Sequence, residues 1–400
     1  WLDFLKVRGS WGQVGNQNVA PYQYLSTISF SNAGYIFGPT EGQSTQGAYP
    51  NRLGNPDLKW ETSEQTNIGF DATVMKRLNV TFDYYIKNTK DWLIAKPMLA
   101  TTGVDTVLIN GGDVKNTGVE LALNYRNNIG KLNYSIGVNG AWNKNTIGNI
   151  PTSDHILHGN KNVLYANALE FYRAANGQPV GYFWGLKTNG IFQTEEEVNS
   201  NVGKTGDKIQ PDAQPGDVRY VDLNNDGVID AEDKTKIGDP NPDFTFGFNI
   251  TLDYKGFDFL VQASGVAGNQ IVQSWRNQSG SQSNYSATIL ERWHGVGSSN
   301  KMPRVTEDNR NWTQFSELYI HDGSFLRINT ITLGYDFSNL VKKNYLSKVR
   351  LYASVLNAFT FTKYNGMDPE VGYNEGFSSG VDLGYYPRPR TVMIGANIRF

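Results

Sequence analysis

The feature that most constrains this chain is a strict alternation of apolar and polar residues, repeated in runs of about ten. In 78–87, Leu78, Val80, Phe82, Tyr84 and Ile86 alternate with Asn79, Thr81, Asp83, Tyr85 and Lys87. Just before it, Ile68, Phe70, Ala72 and Val74 alternate with Asn67, Gly69, Asp71 and Thr73. The same pattern returns in 119–125, 132–138, 244–252, 257–261, 331–335, 349–355 and 392–400, and the opening WLDFLKVRGSWG also reads as a strand. A period of two puts all apolar side chains on one face of a β-strand. Strands of roughly 9–11 residues are what a tilted membrane-spanning strand requires.

The connections separate a membrane barrel from a soluble sandwich. Short links at 75–77, 127–130, 255–256 and, somewhat longer, 338–346 alternate with long polar segments at 12–60, 92–115, 145–242, 267–324 and 362–389. Short turns at one end and long loops at the other are the pattern of an outer-membrane barrel. Structureless loops beyond about 15 residues are uncommon in compact soluble domains, which argues against a sandwich. The fold class expected is therefore all-β, a transmembrane antiparallel β-barrel contributing ten strands. If the first strand runs outward, the tenth runs inward and ends in the periplasm. Tyr125, Trp142, Tyr254, Phe257, Tyr335 and Phe337 fall near strand ends, where amphipathic rings favour the lipid–water interface. Asp71, Asp83 and Asp253 fall on the polar, lumenal face as wall polarity.

Composition is consistent with this and excludes several classes. A formal net charge of −2, without a cluster of basic residues, gives no case for nucleic acid. Cysteine is absent, which removes thiol catalysis, thiolate metal sites and disulfides. No run approaches the ~18 apolar residues of a membrane helix, and mean hydropathy is −0.46. The 42 glycines, 22 tyrosines and 20 phenylalanines suit a β-rich wall. The chain opens inside a strand without an initiator methionine, as a piece of a longer protein would.

Within 145–242, DLNNDGVIDAED at 222–233 has the register of a calcium loop. Such loops supply oxygens from positions 1, 3, 5, 7, 9 and 12 with glycine at 6. Those positions hold Asp222, Asn224, Asp226, Val228 (through its carbonyl), Asp230 and Asp233, with Gly227 at the turn. Asp233 departs from the usual, longer glutamate. Proline and glycine on both flanks preclude long helices, so the expected Ca2+ is a structural staple for an extracellular loop that has little core of its own. GFSSG (376–380) matches a nucleophile elbow but lacks the strand-then-helix setting. His155 and His158 lie in a segment without a helical pattern or a third ligand. No enzyme is expected. Trp184, Trp275, Arg276 and Trp312, in or beside long loops, are candidates for substrate or partner binding, and EEEV (195–198) starts a short helix.

The stretches LKVRGSWGQVGNQ, NPDLKWETSEQTNIGFDATVMKRLNVTFDYYIKNTKDWL, GDVKNTGVELALNY, GDVRYVDLNNDGVIDAEDKTKIGDPNPDFTFGFN, ERWHGVGSSNKMPRV, SFLRINTITLGYDF, LNAFTFTKYNGMDPEV and YPRPRTVMIGANIRF give the chain a clear likeness. It resembles the C-terminal barrel portion of the SusC/RagA-type TonB-dependent transporters of Bacteroidota. The resemblance implies a barrel of about 22 strands, of which residues 1–400 supply ten, with an N-terminal plug and TonB box absent from this chain. It implies an outer-membrane location, surrounding lipid, a SusD-type lipoprotein partner, and energy from TonB–ExbB–ExbD. It implies import of oligosaccharides or, in some members, peptides. It also implies that Phe400 is the terminal aromatic read during barrel assembly. The competing reading is a calcium-stabilised extracellular β-rich binding or adhesion protein without a transport role. Ten strands alone would leave two open edges in lipid, so this piece is not expected to fold by itself.

Overall fold

The computed structural model describes the chain except residues 17–20, 31–33, 37–43, 99, 105, 276–284, 309 and 339–346. Its largest sheet has ten strands: β1 (Leu2–Asn16), β2 (Glu61–Val74), β3 (Leu78–Lys90), β4 (Val114–Ile129), β5 (Leu132–Ile147), β6 (Phe244–Tyr254), β7 (Phe257–Ala267), β8 (Phe325–Asp336), β9 (Lys348–Thr362) and β10 (Thr391–Arg399). Each pairs antiparallel with the one that follows, so β1 and β10 form the two edges. The expected strands and their order are all present. Among the described residues no helix is long and apolar enough to cross a membrane.

Local sequence explains the tight turns. Lys255 and Gly256 both have positive φ (+48° and +90°), the geometry whose twist matches a two-residue hairpin. At the β2–β3 turn, Met75 and Lys76 are also left-handed (φ +51° and +54°). Their backbone is held by β1: Met75 N–H donates to the Trp1 carbonyl at 2.8 Å and Lys76 N–H to Asp3 Oδ2 at 2.6 Å. The β4–β5 link is tighter than expected, because pairing continues to Ile129 opposite Leu132 and leaves only Gly130 and Lys131 in the turn. Most of the expected 338–346 link lies outside the described residues.

Burial is inverted in this sheet. Ile68, Val138, Leu333 and Leu351, on interior strands, are 59%, 48%, 52% and 46% exposed. A soluble sandwich would bury that face; a barrel turns it to lipid. The aromatic rims sit where the sequence indicates. Tyr125 neighbours Tyr134 with ring centres 6.0 Å apart, and Phe257 and Phe337 flank Tyr335 at 4.5 and 4.7 Å, all toward the short turns. Trp142 stacks on Phe244 at 4.2 Å toward the long loops.

The polar face carries a repeated device. Arg8 on β1 and Asp83 on β3 pair at 2.9 Å across β2, at the position of Gly69. Arg350 on β9 and Asp258 on β7 meet at 2.7 Å across β8, at Gly334. The Tyr85 hydroxyl on β3 donates to Asn143 on β5 at 3.0 Å across Gly118 of β4. Strands two apart are separated by roughly 9.5 Å, so such contacts form only where the middle strand presents no side chain.

The long segments are not structureless. They form small sheets, including the four strands Ile156–His158, Tyr172–Ala175, Tyr182–Leu186 and Lys234–Gly238, and the pair Thr188–Ile191 with Val218–Tyr220. A helix, Glu195–Ser200, is capped by Thr194, whose side chain accepts from Glu197 N–H. An aromatic core joins them: Phe171, Tyr172, Phe183, Val272, Phe315, Tyr319 and Val381, drawn from three long segments, are all nearly or fully buried. The expectation that 145–242 has little core is thus corrected. Its alternation is too short and irregular to read as strands, yet its aromatics bury against those of the other loops.

A Cβ on Gly334 would lie 2.5 Å from both the Arg350 guanidinium and the Asp258 carboxylate. Gly334→Ala and Arg350→Met are each expected to destabilise the full-length barrel by on the order of 1 kcal/mol. The double variant should lose little more than the worse single one, because both remove the same pair. Urea titration in detergent, read by heat-modifiable gel mobility, measures it; additive losses would show the two residues act independently.

Candidate functional site

Residues 222–233 are extruded from a single ribbon. Leu186 pairs with Lys234 and Thr188 with Tyr220, while Val221 N–H donates to the Lys187 carbonyl at 3.1 Å. The twelve intervening residues therefore leave and re-enter at neighbouring points. Asp233 closes the base: it is fully buried, its Oδ1 accepts from Leu223 N–H at 2.7 Å and its Oδ2 from Asp230 N–H at 2.9 Å. Asp222 Oδ2 accepts from Gly227 N–H, Asn224 Oδ1 from Asp226 N–H and Asp226 Oδ1 from Val228 N–H, each at 2.9 Å. Asp230 Oδ1 accepts from Glu232 N–H at 2.7 Å. Gly227 is left-handed (φ +93°) and lies against Gly203; a Cβ on Gly203 would come within 2.8 Å of its Cα.

The fit to calcium is partial. Asp222 Oδ1 is buried without a hydrogen-bond partner, an oxygen that a cation would satisfy. Against that, Asn224 turns its amide nitrogen toward Asp226 Oδ2 at 2.8 Å, and among the described residues no three His, Asp or Glu are gathered as a metal-holding group. The ligand types are present in order, with the carboxylates turned to backbone N–H groups.

A stronger anchor lies next to this loop. Arg304 makes a two-point contact with the buried Asp217 (2.7 and 3.1 Å), and Asn311 Nδ2 donates to the same carboxylate at 3.1 Å. Asn311 Oδ1 in turn accepts from Val218 N–H at 2.9 Å. This network ties 145–242 to 267–324. Sequence reading missed it, although Asp217 and Arg304 both sit in stretches that carry the family resemblance.

The tryptophan candidates separate. Trp184 has one face covered by the Arg173 guanidinium, 4.2 Å from the ring centre. It is engaged within the cap and does not offer that face as a platform. Trp275 and Trp312 converge on a cavity of about 410 Å³, with Tyr319, Ile289, Met302 and Met367 also on its walls. Trp312 meets Tyr319 edge-on at 5.4 Å. Arg276 lies outside the described residues. Phe400, after the last strand, is 88% exposed.

The remaining motifs resolve structurally. In GFSSG, short strands Asn374–Glu375 and Ser378–Ser379 form a hairpin, Ser378 is buried, and no helix follows. His155 Nδ1 faces the Ile150 carbonyl at 2.9 Å, whereas His158 pairs with Asp154 (2.9 Å) and Glu170 (2.8 Å), so the two do not share a ligand. Glu170 also holds Arg173 through Nε at 2.8 Å, the arginine over Trp184.

Partial burial pushes the His158 imidazole pKa down, but hydrogen bonds to Glu170 and Asp154 outweigh it and the result lies above the ordinary value. A pKa raised on folding stabilises the site fully below the unfolded value near 6.5. That contribution fades as pH rises through the higher folded value. Amide hydrogen exchange around 156–158 should therefore accelerate across that window beyond the intrinsic rate, and His158→Gln should remove the step. An unchanged profile in His158→Gln would assign the step to another group.

Residues 1–358 match the model of the family described as TonB dependent receptor-like, beta-barrel. TonB-dependent receptor P3 of Formosa agariphila is 31% identical over 99% of this chain and 39% of its own length. TonB-dependent receptor SusC of Bacteroides thetaiotaomicron is 28% identical over 100% of this chain and 38% of its own. The chain thus spans about two fifths of the curated relatives it matches. The solved RagAB peptide transporter superposes with a TM-score of 0.78 at 24% identity, over 100% of this chain and 41% of that one, a likeness of fold. The chain belongs to the TonB-dependent receptor-like β-barrel family, and its ten-stranded sheet is wall of an outer-membrane barrel.

Proposed function

We propose that the whole protein is an active importer of oligomeric nutrients, oligosaccharides or peptides, driven by TonB and working with a SusD-type surface lipoprotein. The observation that carries this reading is the pairing of an inside-out wall with a folded cap. An apolar sheet face left exposed suits lipid, and loops with a buried core of their own give a rigid surface for partner and ligand contacts. The outer membrane has no nucleotide supply, so work on a substrate too large for a diffusion pore must arrive mechanically. RagAB, which shares the fold, is a peptide transporter. A soluble adhesion protein would not leave the apolar face of ten strands uncovered. The relatives' standing as receptors favours a role other than catalysis. We assign Phe400, the exposed aromatic that follows β10, to recognition during barrel assembly.

We also assign Ca2+ to 222–233, as a staple. Binding would need the Asn224 amide to turn its oxygen inward and the carboxylates of Asp222, Asp226, Asp230 and Asp233 to exchange N–H donors for the ion, with the Val228 carbonyl completing the set. The unpartnered Asp222 Oδ1 supports this.

The complete protein should require detergent, co-purify with a SusD-type lipoprotein and support uptake that stops when TonB is deleted. Recovery as a water-soluble monomer would contradict the reading. For the metal, terbium luminescence on the purified complex should titrate with calcium competition. Asp222→Ala with Asp226→Ala should abolish that signal and weaken lipoprotein docking, while heat-modifiable mobility stays intact. Loss of the folded barrel in that variant would show that the loop supports the wall.

A further inference from the structure

The chemistry of the cavity between Trp275 and Trp312 is more specific than the proposed function requires. Aromatic rings and thioethers dominate its walls: Trp275, Trp312, Tyr319, Met302 and Met367, with Ile289. Among the described lining residues there is no Asp, Glu, Lys or Arg; the polar ones are Gln273, Ser274, Ser286 and Thr288, with the phenol of Tyr285. A sugar ring presents hydroxyls on nearly every carbon, and this lining, without a charged or bidentate partner and with one amide, replaces only part of the water they lose. An apolar side chain loses nothing of that kind, and methionine walls adapt to several such shapes. The back wall is fixed, because Tyr319 is 1% exposed and donates its hydroxyl to the Trp312 carbonyl at 2.5 Å. The indole Nε1 of Trp275 is buried without a hydrogen-bond partner, a donor that a peptide carbonyl would satisfy. At about 410 Å³ the cavity lies toward the lower end of the ~300–1,000 Å³ of small-ligand pockets, room for one or two side chains.

We infer that this cavity is a subsite for an uncharged aromatic or aliphatic side chain of an imported peptide. The inference rests on the importer reading and sharpens it. Peptides carrying such a side chain are held at the cap before transfer inward, whereas strongly charged or uniformly hydrophilic segments gain nothing there.

Met367 permits a test that spares the fold, since it is 52% exposed. The probes are acetyl-Gly-Trp-Gly-amide, acetyl-Gly-Ser-Gly-amide and maltoheptaose, titrated calorimetrically into the intact transporter with its lipoprotein. The tryptophan peptide is expected to bind at least tenfold more tightly than the serine peptide. Met367→Glu should erase that preference and Met367→Leu should keep it, with serine-peptide binding unchanged throughout. Equal binding of the two peptides by the native protein, or a preference that survives Met367→Glu, overturns the subsite. So does a result in which maltoheptaose is the probe that responds to Met367→Glu. TonB-dependent uptake of peptides or oligosaccharides persisting alongside any of these results would leave the importer reading standing. Absence of all TonB-dependent uptake would overturn that reading itself.

Discussion

In a hydrocarbon environment every backbone N–H and C=O must find its partner inside the protein. The ten-stranded ladder meets that demand, and the period-two alternation then decides which face meets lipid. This one requirement explains why the sheet exposes Ile68, Val138, Leu333 and Leu351, apolar side chains that a layered soluble fold would bury. It also explains the lack of a conventional core between layers. The wall is stabilised by strand pairing and by polar contacts on its other face, with glycines at 69, 118 and 334 opening the space for side chains two strands apart to meet.

At the long-loop end the logic reverses. Residues 145–242, 267–324 and 362–389 bury their aromatics against one another, as a soluble domain does. Buried polar ties brace them, among them Asp217 with Arg304 and Asn311, and Tyr364 with Asp382. The loop at 222–233 hangs from this framework instead of creating it. A bound ion would tighten the loop onto Gly203, while the Asp217 network holds the larger segment in place.

The wall was legible because its signal is local: each strand repeats the same alternation, and the link lengths set which end is which. The strand order and both aromatic rims followed directly. The cap was not, because its strands are two to five residues long and its pairing joins residues far apart, such as Leu186 with Lys234. Tryptophans could be nominated by type, but not sorted. Trp184 and Trp312 look alike in sequence, and only the fold sets Arg173 over one and a cavity beside the other. The glycine gaps were equally hidden, since a lone glycine in a strand says nothing of what lies two strands away. The calcium register was readable, yet the carboxylate orientations depend on backbone N–H groups that no spacing rule specifies.

Everything above requires that the apolar face of the sheet contact lipid. These 400 residues contain no cysteine, so single cysteines can be placed in the sheet once any cysteine elsewhere in the full-length protein has been replaced by serine. Along β5, Ile136 and Val138 share the apolar face, and Ser135 and Asn139 share the polar one. In the full-length protein in native outer membrane, cysteines at 135 and 139 should react with a water-soluble maleimide. Those at 136 and 138 should resist it and react only with a lipid-soluble reagent. Uniform reactivity of all four positions with the water-soluble reagent would contradict a membrane wall.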